Sequence, residues 1–139
     1  MHIVIHTDGG SRGNPGPAAS AFTVHTPQNE LIHEESLFLG DTTNNVAEYT
    51  ALRMACEWAV SQKDLGITTC DILMDSELVV KQMRGEYKIK DQTLLSIATE
   101  IKRILKTAPF SVSFVHVRRA ENAHADQLVN AVMDRNIGH

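Results

Sequence analysis

The sequence is short of cysteine and aromatic residues, has no long apolar run and no surplus of positive charge, and each shortage removes a class of protein. Cys56 and Cys70 are the only cysteines among 139 residues. Both lie in apolar stretches without a CxxC pair or a histidine at zinc spacing, which argues against a disulfide framework or a metal knot and for reduced, buried thiols. Nowhere does the chain offer the roughly 18 consecutive apolar residues of a membrane helix, and Met1-His2-Ile3-Val4 opens it without a basic leader. No membrane association and a cytoplasmic location are therefore expected. Aromatic residues make up 5% of the chain, and Phe22, Tyr49 and Trp58 fall in apolar patterns that suit core packing rather than base stacking. No repeat, low-complexity tract or Ser/Pro linker divides the sequence, so a single domain over 1–139 is expected.

What is present is a globular composition, 42% apolar and 22% charged, in a length that suits one hydrophobic core. Thirteen Lys and Arg stand against seventeen Asp and Glu, a net charge of −4, which does not suit a protein that grips nucleic acid by bulk positive charge. If four of the acids gather on metal, thirteen charges of each sign remain. The surface outside such a site is then neutral.

The periodicity divides the chain into elements. Residues 2–7 form a short, largely apolar run stopped by Asp8-Gly9-Gly10, a buried strand ending in a turn. Residues 18–26 and 31–39 flank Pro27-Gln28-Asn29-Glu30 and predict an antiparallel hairpin. Asn45 and Glu48 have capping-box spacing ahead of Leu52, Ala55, Cys56 and Ala59, which recur at helical period to about Ser61. Ile72-Leu73-Met74 is a strand ending at Asp75-Ser76, where Ser76 caps a short helix stopped by Gly85. Leu94, Leu95, Ile97, Ala98, Ile101, Ile104 and Leu105 form the stripe of another helix. Residues 110–117 alternate as a last strand, and Ala125, Leu128, Val129 and Val132 mark a final helix. The order predicts an α/β fold with a mixed sheet and helices on its faces.

The acids fall at telling places. Asp8 and Asp75 follow strands, Glu48 lies in the first turn of a helix and Asp126 near the start of the last one. In open α/β sheets ligands gather beyond the carboxyl ends of strands and at helix N-termini. A lone acid at either place is commonly a turn former or a dipole partner. Four that converge would repel, each raising its neighbours' pKa, unless a cation neutralises them. All-oxygen ligation suits Mg²⁺ or Mn²⁺ rather than zinc, and two such ions about 3.5–4 Å apart can activate a water and stabilise the leaving oxygen of a phosphodiester. Near these acids, Asp8-Gly9-Gly10-Ser11-Arg12-Gly13-Asn14-Pro15-Gly16-Pro17 is a glycine-rich run, and Thr42-Thr43-Asn44-Asn45 supplies hydroxyls and amides that can reach base edges, sugar hydroxyls or phosphate.

Thr7-Asp8-Gly9-Gly10-Ser11 with Gly13-Asn14-Pro15-Gly16, then Thr43-Asn44-Asn45 with Ala47-Glu48, then Asp75-Ser76, then Asn122 with Ala125-Asp126, resemble the ordered motifs of type 1 ribonuclease H. The match runs from about residue 3 to residue 131. The resemblance implies a ribonuclease H-like fold, a five-stranded mixed sheet in order 3-2-1-4-5, and endonucleolytic hydrolysis of the RNA strand of RNA–DNA hybrids by two metal ions, leaving 5′-phosphate and 3′-hydroxyl ends. It implies Asp8, Glu48, Asp75 and Asp126 as the catalytic, metal-binding acids, with Mg²⁺ as cofactor and Mn²⁺ as substitute. It implies Asn14, Asn44 and Asn45 along the hybrid's minor groove, Ser11 in the loop touching the RNA strand and Thr43 against a DNA phosphate. A minor-groove reader that senses the 2′-hydroxyl separates RNA from DNA without reading sequence. The expected partner is the hybrid duplex, with no obligate protein partner and a monomeric state.

Three features depart from the pattern. Asp41 stands where several relatives carry an arginine beside the phosphate-holding threonine. Val117 to Asn122 leaves little room for the long loop that carries a mobile histidine in many relatives, and neither His116 nor His124 can be assigned that role. Gly85-Glu86-Tyr87-Lys88-Ile89-Lys90 leads straight into the next helix, so the basic helical projection of some bacterial relatives is absent. Lys81, Arg84, Lys88 and Lys90 remain as a basic run, readable as a solvated helix face or as a phosphate track. A non-catalytic hybrid-binding module, or a DNA nuclease or strand transferase of the same superfamily, are the alternative functions.

Overall fold

The computed structural model describes residues 1–137; the last two positions of the 1–139 span lie outside the described residues. Five strands form one sheet: β1 (His2–Ser11), β2 (Gly16–His25), β3 (Leu31–Thr42), β4 (Thr69–Met74) and β5 (Ser111–His116). Its order is β3-β2-β1-β4-β5, with β1, β4 and β5 parallel and β2 and β3 antiparallel to their neighbours. This is the sheet that the resemblance implied. Helices α1 (Asn44–Ser61), α2 (Glu77–Met83), α3 (Gln92–Lys106) and α4 (Ala123–Ile137) complete the fold, the last preceded by a 3₁₀ turn at Arg119–Asn122. None is long and apolar enough to cross a membrane.

Alternation along β1 sends Ile3 and Ile5 to one face, where they meet Leu52 and Cys56 of α1, Val79 and Val80 of α2, and Ala98 and Ile101 of α3. Fully burying each large aliphatic side chain is worth about 1.5–3 kcal/mol, so this larger cluster carries most of the stability. On the opposite face Ala19 and Ala21 of β2 pack against Val129, Val132 and Met133 of α4. Small strand residues there let α4 lie close to the sheet. Phe22 and Tyr49 are core residues as expected, whereas Trp58 is only half-buried and stacks on His33 with ring centroids 4.7 Å apart. Cys56 and Cys70 are buried and unbonded to each other, and burial pushes both thiols up.

Two local expectations are corrected. β1 does not turn at Asp8-Gly9-Gly10 but continues to Ser11, paired with Ala18 to Ala21 of β2. The break at Asp8 is instead the end of the parallel ladder with β4, whose last pair is Thr7 with Met74. The cap of α1 is Thr43, whose hydroxyl accepts from the Val46 N–H at 3.2 Å, not Asn45. The stretch between α2 and α3 holds no helix, and Gly85 takes a left-handed φ of 80° that ends α2 as expected.

Candidate active site

The parallel ladder between β1 and β4 ends at Thr7 and Met74, so Asp8, within β1, and Asp75, after the end of β4, occupy adjacent positions just beyond it. Glu48 is brought to them by an unusually close approach of α1. A Cβ on Gly9 would lie 2.3 Å from the Ala47 carbonyl carbon and 2.5 Å from the Glu48 nitrogen, so only glycine fits. From the next strand the buried Ser20 hydroxyl donates to the Ala47 carbonyl at 2.6 Å, fixing the same turn. Asp126 comes from the first turn of α4. The four acids thus line one pocket of about 490 Å³, together with Ser11, Arg12, Asn44, Ser76, Arg119 and Asn130.

Their electrostatics are those of uncompensated like charges in a partly dry place. Asp8, 9% exposed, is pushed from 3.8 up to about 8. Burial is the main cause, followed by the neighbouring charges of Asp75 and Asp126, a hydrogen bond with the Asp126 carboxyl, and Glu48. Burial likewise raises Glu48 to about 7, with the Ser76 hydroxyl pulling down and Asp75 pushing up. Asp75 is raised by burial against the opposing pull of Arg119. Glu48 Oε2 is buried without a hydrogen-bond partner among the described residues.

Such a set fits divalent cations. An orphaned carboxylate oxygen beside a carboxyl that resists ionisation is a site lacking positive charge, and all-oxygen donors match hard ions. Among the described residues no three imidazole, thiol or carboxylate groups already converge at ligation distance on one point.

The residues expected to touch substrate divide into two groups. Ser11, Asn14 and Asn44 are linked: Asn44 Oδ1 accepts from the Ser11 N–H at 2.7 Å and hydroxyl at 3.0 Å, and the Asn44 backbone N–H donates to Asn14 Oδ1 at 3.1 Å. This fixes the glycine-rich loop to the start of α1, and Ser11 and Asn44 reach the pocket. Thr43 and Asn45 do not line it. Thr43 Oγ1 is engaged as the cap but keeps its own O–H to donate outward, and Asn45 is exposed.

Four residues near the acids received no individual role from the sequence. Arg12 reaches from the loop to α4, 2.7 Å from Asp134 and 3.4 Å from Asn130 Oδ1. Arg119 lines the pocket and exerts the larger of the charge effects that pull Asp75 down, ahead of His116. Its position in the short segment after β5 was the one signal available. Asn122 and Asn130 brace the backbone: Asn122 Nδ2 donates to the Thr7 carbonyl, and Asn130 Nδ2 to that of Asp126. Of the two unassigned histidines, His124 faces away and pairs with Glu34 at 2.8 Å, while His116 is exposed at the end of β5.

The basic run is partly committed. Lys81 pairs with Glu77 at 2.8 Å and lies over the Tyr87 ring, and Arg84 Nε donates to the Phe114 carbonyl at 2.9 Å. Lys88 and Lys90 are exposed.

A sheet of this order with carboxylates just past the ladder between its central parallel strands defines a ribonuclease H-like nuclease fold. Residues 6–132 match the family model described as reverse transcriptase-like. The structure of LC11-RNase H1, solved in complex with RNA/DNA hybrid, superimposes with a TM-score of 0.92 at 42% identity, covering 98% of this chain and 99% of that one. The N-terminal RNase H domain of Rv2228c from Mycobacterium tuberculosis gives 0.88 at 40% identity, covering 96% and 100%. The ribonuclease HI of Halobacterium salinarum is 38% identical over 132 residues, 95% of this chain. The chain belongs to the type 1 ribonuclease H family. It spans 36% of the length of the whole bifunctional protein Rv2228c and 64% of that of the halobacterial enzyme.

Proposed function

We propose that this chain is a metal-dependent endoribonuclease that hydrolyses the RNA strand of RNA–DNA hybrids, with Asp8, Glu48, Asp75 and Asp126 as its metal-binding catalytic acids. The carrying observation is the convergence of four carboxylates from four elements on one pocket, with Asp8 pushed up to about 8 and Glu48 Oε2 unpartnered. Two divalent ions, Mg²⁺ or Mn²⁺, when bound, supply an activated water and charge neutralisation at the leaving oxygen of an in-line displacement. The protein's own residues do the rest. Asp8 and Glu48 release their protons to hold positive charge, and Ser76 orients the Glu48 carboxylate. Arg119 stands where a guanidinium can meet phosphate charge at the pocket rim.

Ser11, Asn14, Asn44 and Asn45 supply the amides and hydroxyl along the expected minor-groove side, and the free hydroxyl hydrogen of Thr43 can donate to a DNA phosphate. The reading includes a monomer acting as one domain over 1–139, without an obligate protein partner. Two buried, unbonded thiols suit a reducing, cytoplasmic compartment. The test is product chemistry: the cut RNA is expected to carry 3′-hydroxyl ends that a polymerase extends directly. Products that need phosphatase treatment before extension would exclude this displacement.

A further inference from the structure

A row of polar side chains lies on the sheet face beside the start of α4, outside the carboxylate pocket. Strand pairing places it there: His6 stands opposite Thr23 and Thr23 opposite Glu34, with His25 two residues along β2 on the same face. The His6 and His25 rings meet edge to face at 5.9 Å, those of His25 and His124 at 6.0 Å, and His124 pairs with Glu34. At its inner end the row makes one specific contact, between His6 Nδ1 and Asn122 Oδ1 at 3.0 Å.

Asn122 is 1% exposed, and its Nδ2 donates to the Thr7 carbonyl at 2.8 Å. A carbonyl only accepts, so the amide must turn its nitrogen to Thr7 and its oxygen to His6, and His6 must present a hydrogen on Nδ1. One neutral tautomer carries that hydrogen and so does the imidazolium. The bond is therefore independent of the charge of the ring.

Thr7 immediately precedes Asp8, and Asn122 lies four residues before Asp126. The amide thus spans the joint between β1 and α4 that sets the separation of the Asp8 and Asp126 carboxyl groups. Thr7 is held in the ladders with Phe22 and Met74, so the part left free to drift is the start of α4. We propose that His6 is a positioning residue: by orienting Asn122 it fixes the separation of Asp8 and Asp126 and hence the affinity of the pocket for divalent cations. This rests on the metal-binding reading of that pocket.

Three variants separate the donor from the ring. His6→Phe keeps an aromatic ring without the hydrogen, His6→Gln puts a donor near the place of Nε2, and His6→Asn puts one near the place of Nδ1. Mn²⁺ and Mg²⁺ are titrated without substrate, read as the rise in unfolding temperature, and again during hybrid cleavage. The Phe and Gln variants are expected to need about tenfold more metal for half-saturation, as lost outer-shell support typically does, and the Asn variant to return to within about threefold of the parent. KM for hybrid at saturating metal stays at the parental value in all three, and the pH profile of the Asn variant matches the parent's.

Phe and Gln variants that fold and titrate like the parent would overturn the proposal, as would an Asn variant as impaired as Phe. If the Phe variant does not fold, the Gln and Asn pair decides. A parent that is stabilised by metal but does not cleave hybrid removes the functional reading and leaves the His6 comparison valid. A parent with no metal-dependent stabilisation overturns both.

Discussion

Replacing Asp8 with asparagine keeps its volume and removes the charge for which the pocket is least prepared. A carboxyl displaced from 3.8 to about 8 disfavours ionisation in the folded state. At about 1.4 kcal/mol per tenfold in proton affinity the upper bound is about 6 kcal/mol. Asp8 shares that repulsion with three other acids and a hydrogen bond with Asp126, so we expect a gain of about 2 kcal/mol for the metal-free variant.

The sign follows from proton binding. Between pH 3.8 and about 8 the folded parent holds a proton at Asp8 that the unfolded chain has lost, so parental stability falls as pH rises through this window. The advantage of Asp8→Asn is therefore absent below about pH 4, grows with pH and levels off above about pH 8. Urea unfolding in chelator from pH 4 to 9 measures it. Added Mg²⁺ should stabilise the parent and not the variant, and hybrid cleavage should be lost in the variant. A variant less stable than the parent at pH 8–9, or one with near-parental turnover, would refute the electrostatic argument or remove Asp8 from the mechanism.

Gly9→Ala should force the first turn of α1 off β1, costing about 1–3 kcal/mol and moving Glu48, so turnover should fall even where the variant is fully folded; parental turnover would show that the close approach is not needed. The double variant Asn44→Ala, Asn45→Ala should raise KM more than it lowers kcat, with metal titration barely altered; unchanged hybrid binding would show that these amides only organise the start of the helix. With Lys81 and Arg84 already engaged, Lys88 and Lys90 are what the basic run leaves for phosphate. Hybrid binding in Ca²⁺ should therefore show a shallow log–log salt slope, at roughly −0.9 per phosphate. Reversing Lys88 and Lys90 should weaken and flatten it further if they track phosphate, and change neither if they are a solvated face. A parental slope equivalent to about six or more phosphates would contradict the charge argument.

Three of the four acids were legible because each sits where an element boundary is written locally: Asp75-Ser76 ends an apolar triplet, and Glu48 and Asp126 each lie near the start of an amphipathic stretch; Asp8 stood out beside a turn that the strand does not make. The length of β1 was misread because Gly9-Gly10 is turn chemistry in isolation. Here Gly9 is required by the approach of Ala47, a contact 38 residues away in sequence. The cap of α1 shifted from Asn45 to Thr43 because three consecutive residues can cap and only tertiary contacts choose among them. Asn44 is drawn to Ser11, leaving the threonine hydroxyl for the Val46 N–H. The histidine row was not legible at all. Its members are spread over β1, β2 and α4, with periodicities that say nothing about which strands become neighbours.

The central claim is tested most directly by incubating labelled RNA–DNA hybrid, RNA–RNA and DNA–DNA duplexes of one sequence side by side with the protein, in Mg²⁺, in Mn²⁺ and in chelator. The account predicts internal cuts in the RNA strand of the hybrid with either metal, intact duplex DNA, and no cleavage in chelator. Cleavage of the DNA duplex at a comparable rate, or hybrid bound and left uncut in both metals, would contradict it.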